Sequence, residues 1–221
     1  MRMIKNAYEI STPKGRKRAK RQLDWADHGI LRYRLHNFAQ FAPDAFRSNH
    51  PTTERFEAYA AMGIKTILTL RGAQHQPQYL FEAEVCDRLG LTLLCVPLSA
   101  RRAPNVERLG MLFEVFDQIE KPFLIHCKSG ADRTGLTSAL YLLAYEDADI
   151  ATAKAQLSFD FFHIRRTATG ILDHFLDTYE ACFNETGIGV RDWIATEYDA
   201  DALTVSFAAK QKSLKLWQGW R

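Results

Sequence analysis

Short apolar runs, separated by polar segments of helical length, follow one another through the first two thirds of the chain. The run 64–70 is β-branched and almost wholly apolar, which predicts a buried strand. The runs 91–96 and 122–126 share this character and predict a second and a third strand. Strands that alternate with helices are typical of βαβ units, so the pattern predicts an α/β fold around a mainly parallel sheet.

The segments between and after these strands carry apolar residues at helical spacing, together with residues that begin and end helices. Gly63 and Gly90 follow two of them as C-terminal stops, and Asn105 can cap a third. After Asp147 the pattern is helical throughout. The helices predicted in this way cover residues 51–62, 77–89, 106–119, 134–145, 149–159, 170–183 and 190–198.

Composition is that of an ordinary soluble globular protein. The 221 residues are 47% hydrophobic and 25% charged, and the length suits one domain with or without terminal extensions. No apolar run approaches the roughly 18–20 residues that span a bilayer. The basic N-terminus lacks the apolar segment of a signal peptide, so we expect a cytoplasmic protein.

The four cysteines are Cys86, Cys95, Cys127 and Cys182, and no two of them have the C-x-x-C spacing of a zinc ribbon or a redox pair. Four cysteines in a chain of this length do not predict a disulfide framework, which favours a reducing compartment. Cys86 and Cys95 lie in strongly apolar segments, and we expect both to be small core residues.

Charge is distributed unevenly along the chain. Residues 1–34 contain ten Lys and Arg against three Asp and Glu, and residues 205–221 contain four basic side chains and no acidic ones. We therefore predict a basic N-terminal extension (1–34), a body (35–204) and a basic, Trp-containing tail (205–221). The ends are interpreted as a peripheral contact with an anionic membrane or as solvated tails. Nucleic acid is not expected as a partner, since no nucleic-acid fold signature accompanies them.

The residues that carry chemistry follow the third strand, in His126-Cys127-Lys128-Ser129-Gly130-Ala131-Asp132-Arg133-Thr134-Gly135. A loop that leaves a strand and enters a helix N-terminus suits an anion, because backbone N–H groups and the helix dipole converge there. Gly130 lets the backbone turn without a Cβ clash. Arg133 can fold its planar fork back over the loop to hold two phosphate oxygens. The same field is expected to lower the pKa of the Cys127 thiol, whose thiolate is the reactive form.

This His-Cys-x5-Arg-Thr-Gly run resembles the signature loop of the protein-tyrosine-phosphatase superfamily, particularly its dual-specificity branch, and the similarity of layout covers roughly residues 41–183. The resemblance implies a three-layer αβα phosphatase domain, here 35–204, with a sheet flanked by helices and with extra C-terminal helices. It also implies a phosphocysteine intermediate, formed with no metal or other cofactor. Cys127 would be the nucleophile and Arg133 the phosphate clamp. His126 would orient the loop, and Thr134 would donate a hydrogen bond to the cysteine sulfur.

The general acid is not where most of the family has it. Residues 97–104, the loop after the preceding strand, contain no carboxylate, although departure of an alkoxide or phenolate needs a proton donor. Asp132 lies inside the signature loop, an arrangement that resembles a subset of the superfamily with bacterial lipid-and-protein phosphatases and myotubularin-like enzymes. We therefore interpret Asp132 as the acid. The alternative is a structural partner for an arginine or a backbone amide.

Several residues bear on substrate recognition. Phosphate would bind to the loop residues Lys128, Ser129, Gly130 and Ala131. Arg101 and Arg102 lie on the loop expected to face the pocket, and with Lys128 they favour a substrate with several negative groups, unless all three are solvated charges. Arg71 is interpreted as a buttressing salt-bridge partner or a rim residue. His163 would position the hydrolytic water or be a satisfied core histidine.

The sequence thus predicts a phosphate monoester hydrolase that acts on phosphotyrosine, phosphoserine or phosphothreonine in proteins. A phosphoinositide or other phospholipid phosphatase is the alternative within the enzyme class. A phosphate-binding pseudophosphatase that serves as an adaptor is the alternative from another class.

Overall fold

The computed structural model describes residues 8–27, 36–72 and 75–218. The chain divides into two compact units. One unit consists of Met1–Pro97 and Ile119–Gly130, and the other of Leu98–Gln118 and Ala131–Arg221. The sheet and the N-terminal helices belong to the first unit, and the remaining helices belong to the second.

A mainly parallel sheet forms the centre of the first unit. Its five strands in the described part of the chain are β1 (Ala39–Ala42), β2 (Ala45–Ser48), β3 (Thr66–Thr69), β4 (Thr92–Cys95) and β5 (Phe123–His126), in the order β1-β2-β5-β3-β4. β1 pairs antiparallel with β2, and the other neighbouring strands are parallel. His126 at the end of β5 is in register with Ser48 and Thr69. The chain after β5 therefore leaves the sheet at the edge where β2 and β3 also end.

Three α-helices accompany the described part of this sheet: α1 (Pro13–Arg21), α2 (Thr53–Ala61) and α3 (Pro77–Leu89). A π-helical turn, Gln22–Ala26, follows α1. Gly90 ends α3 in the left-handed conformation, with φ of 68°, as a C-terminal glycine does. The hydrophobic core joins α2 and α3 to β3 and β5, and consists of Phe56, Tyr59, Ile64, Ile67, Val85, Cys86, Leu91 and Leu124.

The described part of the second unit is helical. Its α-helices are α4 (Val106–Gln118), α5 (Asp132–Tyr145), α6 (Ile150–Lys154), α7 (Ile171–Thr186), α8 (Val190–Thr196) and α9 (Ala200–Gln218), with 3-10 turns at Phe159–Phe161 and Ala168–Gly170. Phe175 of α7 packs edge-on against Trp193 and Tyr198, at ring-centroid distances of 5.1 and 4.9 Å. The Tyr198 hydroxyl donates to the Pro104 carbonyl at 2.8 Å, which satisfies this polar group of the aromatic cluster.

The α/β class, the mainly parallel sheet and the three predicted strands are confirmed. The cap at Asn105 is confirmed as well, since its Oδ1 accepts the Arg108 N–H at 3.1 Å. Strands β1 and β2 were not predicted. The helix predicted over 149–159 is wrong beyond Lys154, because the chain turns after α6 and continues as the 3-10 turn Phe159–Phe161.

The basic N-terminal block forms α1, whose side chains are mostly exposed while Ala19 is fully buried. Arg16 lies 2.6 Å from Glu84 of α3 and stacks over Phe81. At the other end, α9 continues through the predicted boundary at residue 205, and the side chains of residues 214–221 lie outside the description. No helix among the described residues is long and apolar enough to cross a membrane. Nothing in the described segments supports membrane contact by the basic ends.

Gly135 of α5 offers a test of packing in the second unit. A Cβ at this position would lie 2.5 Å from the Gln156 carbonyl oxygen and 2.7 Å from Leu157 Cδ2. We expect Gly135→Ala to lower the free energy of unfolding by about 1–3 kcal/mol, because the contacting oxygen belongs to the backbone.

Gly110 of α4 is the matched control, since a Cβ there meets nothing within 4 Å. Gly110→Ala is expected to leave stability unchanged or to raise it by up to about 1 kcal/mol through helix propensity. Urea unfolding of the two variants measures both effects, and equal free energies for the pair would contradict the packing argument.

Candidate active site

Cys127 follows β5 directly, and only 1% of its surface is exposed. The N–H of Gly130 donates to its Sγ at 3.3 Å. An N–H directed at sulfur stabilises the thiolate more than the thiol, because the donor faces the developing charge. Cys86 provides the contrast: burial, together with the charge of Glu82, raises the pKa of its thiol to about 12. Cys86 is the core residue predicted, whereas Cys95 is only half-buried.

Three consecutive carbonyl groups of the loop after Cys127 accept hydrogen bonds from one segment of the first unit. The His50 N–H donates to the Lys128 oxygen at 3.3 Å. The Asn37 side chain donates to the Ser129 oxygen at 3.0 Å, and Arg47 donates to the Gly130 oxygen at 2.7 Å. Since C=O and N–H point in opposite directions across a peptide group, holding these carbonyls directs the following N–H groups to the other side. Such an array of N–H groups binds anions.

Gly130 lies where no side chain fits. Its φ is +74°, in the region that favours glycine, and a Cβ would lie 2.7 Å from the Asn49 nitrogen and the Ser48 oxygen. The loop therefore lies directly against the chain that leaves β2. This is the turn that the sequence predicted for Gly130.

Arg47 is a fully buried cation beside the loop. Burial lowers the pKa of its guanidinium to about 10, and the charge of Cys127 acts in the opposite direction. Arg47 remains protonated at neutral pH, and the attraction stabilises the Cys127 thiolate in return. Sequence reasoning missed this residue. The available signal was a basic side chain directly after the apolar pair Ala45-Phe46, in a strand that was itself not recognised.

His126 is held beneath the loop by a buried network. Its Nδ1 lies 3.3 Å from the Cys127 carbonyl oxygen, and its Nε2 is hydrogen-bonded to Glu82. Glu82 is 1% exposed, and its other oxygen lies 4.0 Å from His50 Nδ1. This placement fits the orienting role predicted for His126. The ligand atoms of His50, Glu82 and His126 lie within 4.8 Å of one another and could hold a metal ion, but the ion would have to displace the bond between His126 and Glu82.

Lys128 reaches a carboxylate from the predicted N-terminal extension. Its Nζ lies 3.5 Å from Asp27 Oδ1, and Arg71 Nη2 donates to the same oxygen at 2.7 Å. The buttressing salt bridge predicted for Arg71 is thereby confirmed. Residues before position 35 thus contribute a contact to the signature loop.

The second half of the signature loop enters α5. Ala131 is buried at the N-cap, and Asp132 and Arg133 are the first two residues of the helix. Thr134 is fully buried, and its Oγ1 has no hydrogen-bond partner among the described residues. The catalytic role of Thr134 stays a prediction.

Asp132 has a partner that the sequence did not suggest. Its Oδ1 lies 2.8 Å from His163 Nδ1, and His163 Nε2 lies 2.6 Å from Asp173 Oδ2. Burial alone would lower the pKa of His163, but the hydrogen bonds and charges of the two carboxylates raise it to about 9. Among the described residues, the partner of Asp132 is thus a histidine rather than an arginine or a backbone amide.

Arg101 and Arg102 are exposed on the segment between β4 and α4. The Arg101 N–H donates to Ser99 Oγ at 3.3 Å, which makes a local turn. Their predicted part in substrate recognition stays a prediction.

Comparisons with known proteins agree with this geometry. Residues 45–168 match the family model described as PTP-SAK, "Swiss Army Knife protein, DSP-PTPase phosphatase domain". The dual specificity protein phosphatase TpbA of Pseudomonas aeruginosa is 26% identical over 122 residues, which cover 55% of this chain and 53% of that protein. The chain thus spans about half the length of this curated relative.

Solved structures show the same fold. The crystal structure of P. aeruginosa TpbA aligns with a TM-score of 0.53 and 19% identity, over 78% of this chain and 91% of that chain. The core catalytic domain of the PP-IP phosphatase SIW14 from S. cerevisiae, in complex with citrate, aligns with a TM-score of 0.53 and 19% identity, over 69% and 94%. The α/β phosphatase fold expected from the signature loop is confirmed.

The network beneath the loop predicts a large stability difference between two glutamates of α3. Glu82→Ala should lower the free energy of unfolding by about 3 kcal/mol, because it leaves a void and a buried imidazole without its partner.

Glu84→Ala is the matched control, since Glu84 makes an exposed ion pair with Arg16, and we expect a loss of at most about 1 kcal/mol. Denaturant unfolding followed by tryptophan fluorescence compares the two. Similar small losses in both variants would show that the Glu82–His126 bond does not support the loop.

Proposed function

Since the chain belongs to the PTP-SAK family, the DSP-PTPase phosphatase domain of Swiss Army Knife proteins, we propose that it hydrolyses phosphate monoesters through a phosphocysteine on Cys127. The observation that carries the proposal is the loop around this cysteine. Its carbonyl groups accept hydrogen bonds from neighbouring residues, and the Gly130 N–H donates to Cys127 Sγ. The buried guanidinium of Arg47 lies beside the loop. These features suit a thiolate nucleophile and an anionic substrate.

In the first step, the Cys127 thiolate attacks phosphorus, the S–P bond forms and the bond to the leaving oxygen breaks. The N–H groups of the loop and the fork of Arg133 hold the equatorial oxygens, where charge is spread in the transition state. The leaving oxygen takes a proton from Asp132.

In the second step, water attacks phosphorus, the S–P bond breaks and Cys127 leaves as thiolate. The proton released by the water returns to Asp132, and inorganic phosphate departs. Thr134 enters here, since a hydroxyl that donates to the sulfur eases its departure. The fully buried hydroxyl of Thr134 has no other partner among the described residues to compete for it.

Protein phosphotyrosine, phosphoserine and phosphothreonine are the substrates we propose. The support is the relationship to TpbA, which is named a dual specificity protein phosphatase and has been crystallised in complex with pTyr.

Lys128 and Arg71 favour a second candidate, a phosphoinositide or an inositol phosphate. Both cations lie against one carboxylate oxygen of Asp27, so two positive charges stand together beside the loop. A substrate with several phosphate groups could use both. The structural neighbour SIW14 is named a PP-IP phosphatase, which agrees with this alternative.

Cys127→Ser tests the mechanism. It should remove turnover of para-nitrophenyl phosphate in the presence of EDTA while the fold is preserved, because a serine hydroxyl does not ionise at neutral pH. Intact-mass analysis after acid quench should find one phosphoryl group on the wild-type enzyme and none on the variant.

Cys182→Ser in α7 is the control and should keep full activity. Retained turnover in Cys127→Ser would refute the phosphocysteine mechanism. Absence of turnover in the wild-type enzyme, together with phosphate binding, would favour the pseudophosphatase adaptor.

Lys128→Met separates the two substrate classes. If the substrate is an inositol phosphate or phosphoinositide, we expect kcat/KM for it to fall about tenfold or more, since a charge-assisted contact is lost. The value for a phosphotyrosine peptide should then change little. Lys65→Met, at an exposed pair with Glu120, is the control. A substrate panel in which only the peptides turn over, with equal effects of both variants, would reject the second candidate.

A further inference from the structure

His163 lies between two carboxylates that belong to the first turns of two helices. Its Nδ1 faces Asp132 of α5 and its Nε2 faces Asp173 of α7. The backbone holds it in place, since the His163 N–H donates to the Ser158 oxygen at 3.1 Å, and Phe162 before it has φ of 61°. Both ring nitrogens are therefore committed to acidic partners.

This arrangement favours the doubly protonated form of the imidazole. Facing a carboxylate from each nitrogen, the ring donates two hydrogen bonds only when it is doubly protonated. Its raised pKa, about 9, agrees with the geometry. Arg165 lies 3.9 Å from the second oxygen of Asp173 and also pairs with Asp177.

The charge has a consequence for Asp132. An imidazolium N–H that donates to a carboxylate can pass its proton to that carboxylate. The Nδ1–H of His163 is thus a proton source in direct contact with Asp132. Exposure points the same way: the side chain of Asp132 is 21% exposed, whereas those of His163 and Asp173 are 1% and 9% exposed. Among these three groups, Asp132 is therefore the one from which a proton can reach the substrate.

We propose that His163 stores the proton for the leaving group and passes it through Asp132, while Asp173 holds the imidazole in position. The proposal rests on the proposed function, whose acid is Asp132. It makes His163 and Asp173 positioning and proton-holding residues, which act through Asp132.

The protons balance over both steps. As the phosphorus–oxygen bond breaks, the Asp132 carboxylate takes the Nδ1 proton of His163 and gives this proton to the leaving oxygen. The imidazole is then neutral. It retains the proton on Nε2 and donates it in the hydrogen bond to Asp173. When water attacks the phosphocysteine, its proton passes to Asp132 and back to Nδ1. All three side chains are then in the protonation states in which they began the reaction.

The experiment compares two substrates that differ in their need for a proton: phenyl phosphate and a fluorinated umbelliferyl phosphate. Asp132→Asn should lower kcat/KM for phenyl phosphate by roughly 10²–10⁴-fold and for the activated ester far less. His163→Gln and Asp173→Asn should show the same selective loss, of about tenfold or more. His174→Gln is the control, since that imidazole bonds to Ser206 instead.

The outcomes separate this inference from the proposed function. If Asp132→Asn slows both esters equally or neither, the acid assigned in the proposed function is wrong. If Asp132→Asn is selective but His163→Gln slows both esters equally or neither, the inference alone is overturned.

A second measurement does not depend on any change at these positions. In the Cys127→Ser enzyme, the ¹⁵N shifts of the His163 ring should show both nitrogens protonated at pH 7.5. A neutral ring at that pH would overturn the inference.

Discussion

The candidate site depends on the orientation of three peptide groups, those of the loop that follows Cys127. A loop presents its N–H groups to an anion when its carbonyl groups are directed elsewhere, and a buried carbonyl such as that of Gly130 also needs a donor. His50, Asn37 and Arg47 supply these donors from one stretch of chain around β2. The register of β2 with β5 places that stretch beside the loop. Sheet pairing, rather than the loop sequence alone, therefore determines the orientation of the N–H groups.

The hydrogen bond between Glu82 and His126 connects the hydrophobic core to the signature loop. Glu82 is carried by α3, whose Val85 and Cys86 pack in the core of the first unit. A buried carboxylate is tolerated because it is hydrogen-bonded to His126, which lies next to Cys127. Arg47 follows the same rule, since a fully buried cation needs a nearby acceptor and a nearby negative charge. Changes that loosen α3 should thus affect activity as well as stability.

The sequence predicted what is encoded locally. Apolar runs located β3, β4 and β5, a glycine and an asparagine marked helix ends, and the Cys-x5-Arg spacing located the loop. β1 and β2 were not predicted, because four-residue strands with mixed polarity have no distinct hydrophobic period. The hydrogen-bond partners of the signature-loop residues were not predicted for a different reason. Glu82 lies 44 residues from His126, and His163 lies 31 residues from Asp132, so no local pattern connects them.

The charge pattern of the ends was the least informative signal, because composition does not show which charges meet. Asp27 belongs to the basic N-terminal segment, yet it is one of three acidic residues there and the one that lies against Arg71 and Lys128. Its carboxylate supplies negative charge to both of these cations. An incoming phosphate that uses Lys128 must compete with this carboxylate, and a singly charged contact gains little by the exchange. In the second candidate function proposed above, a substrate with a second anionic group would replace both interactions at once.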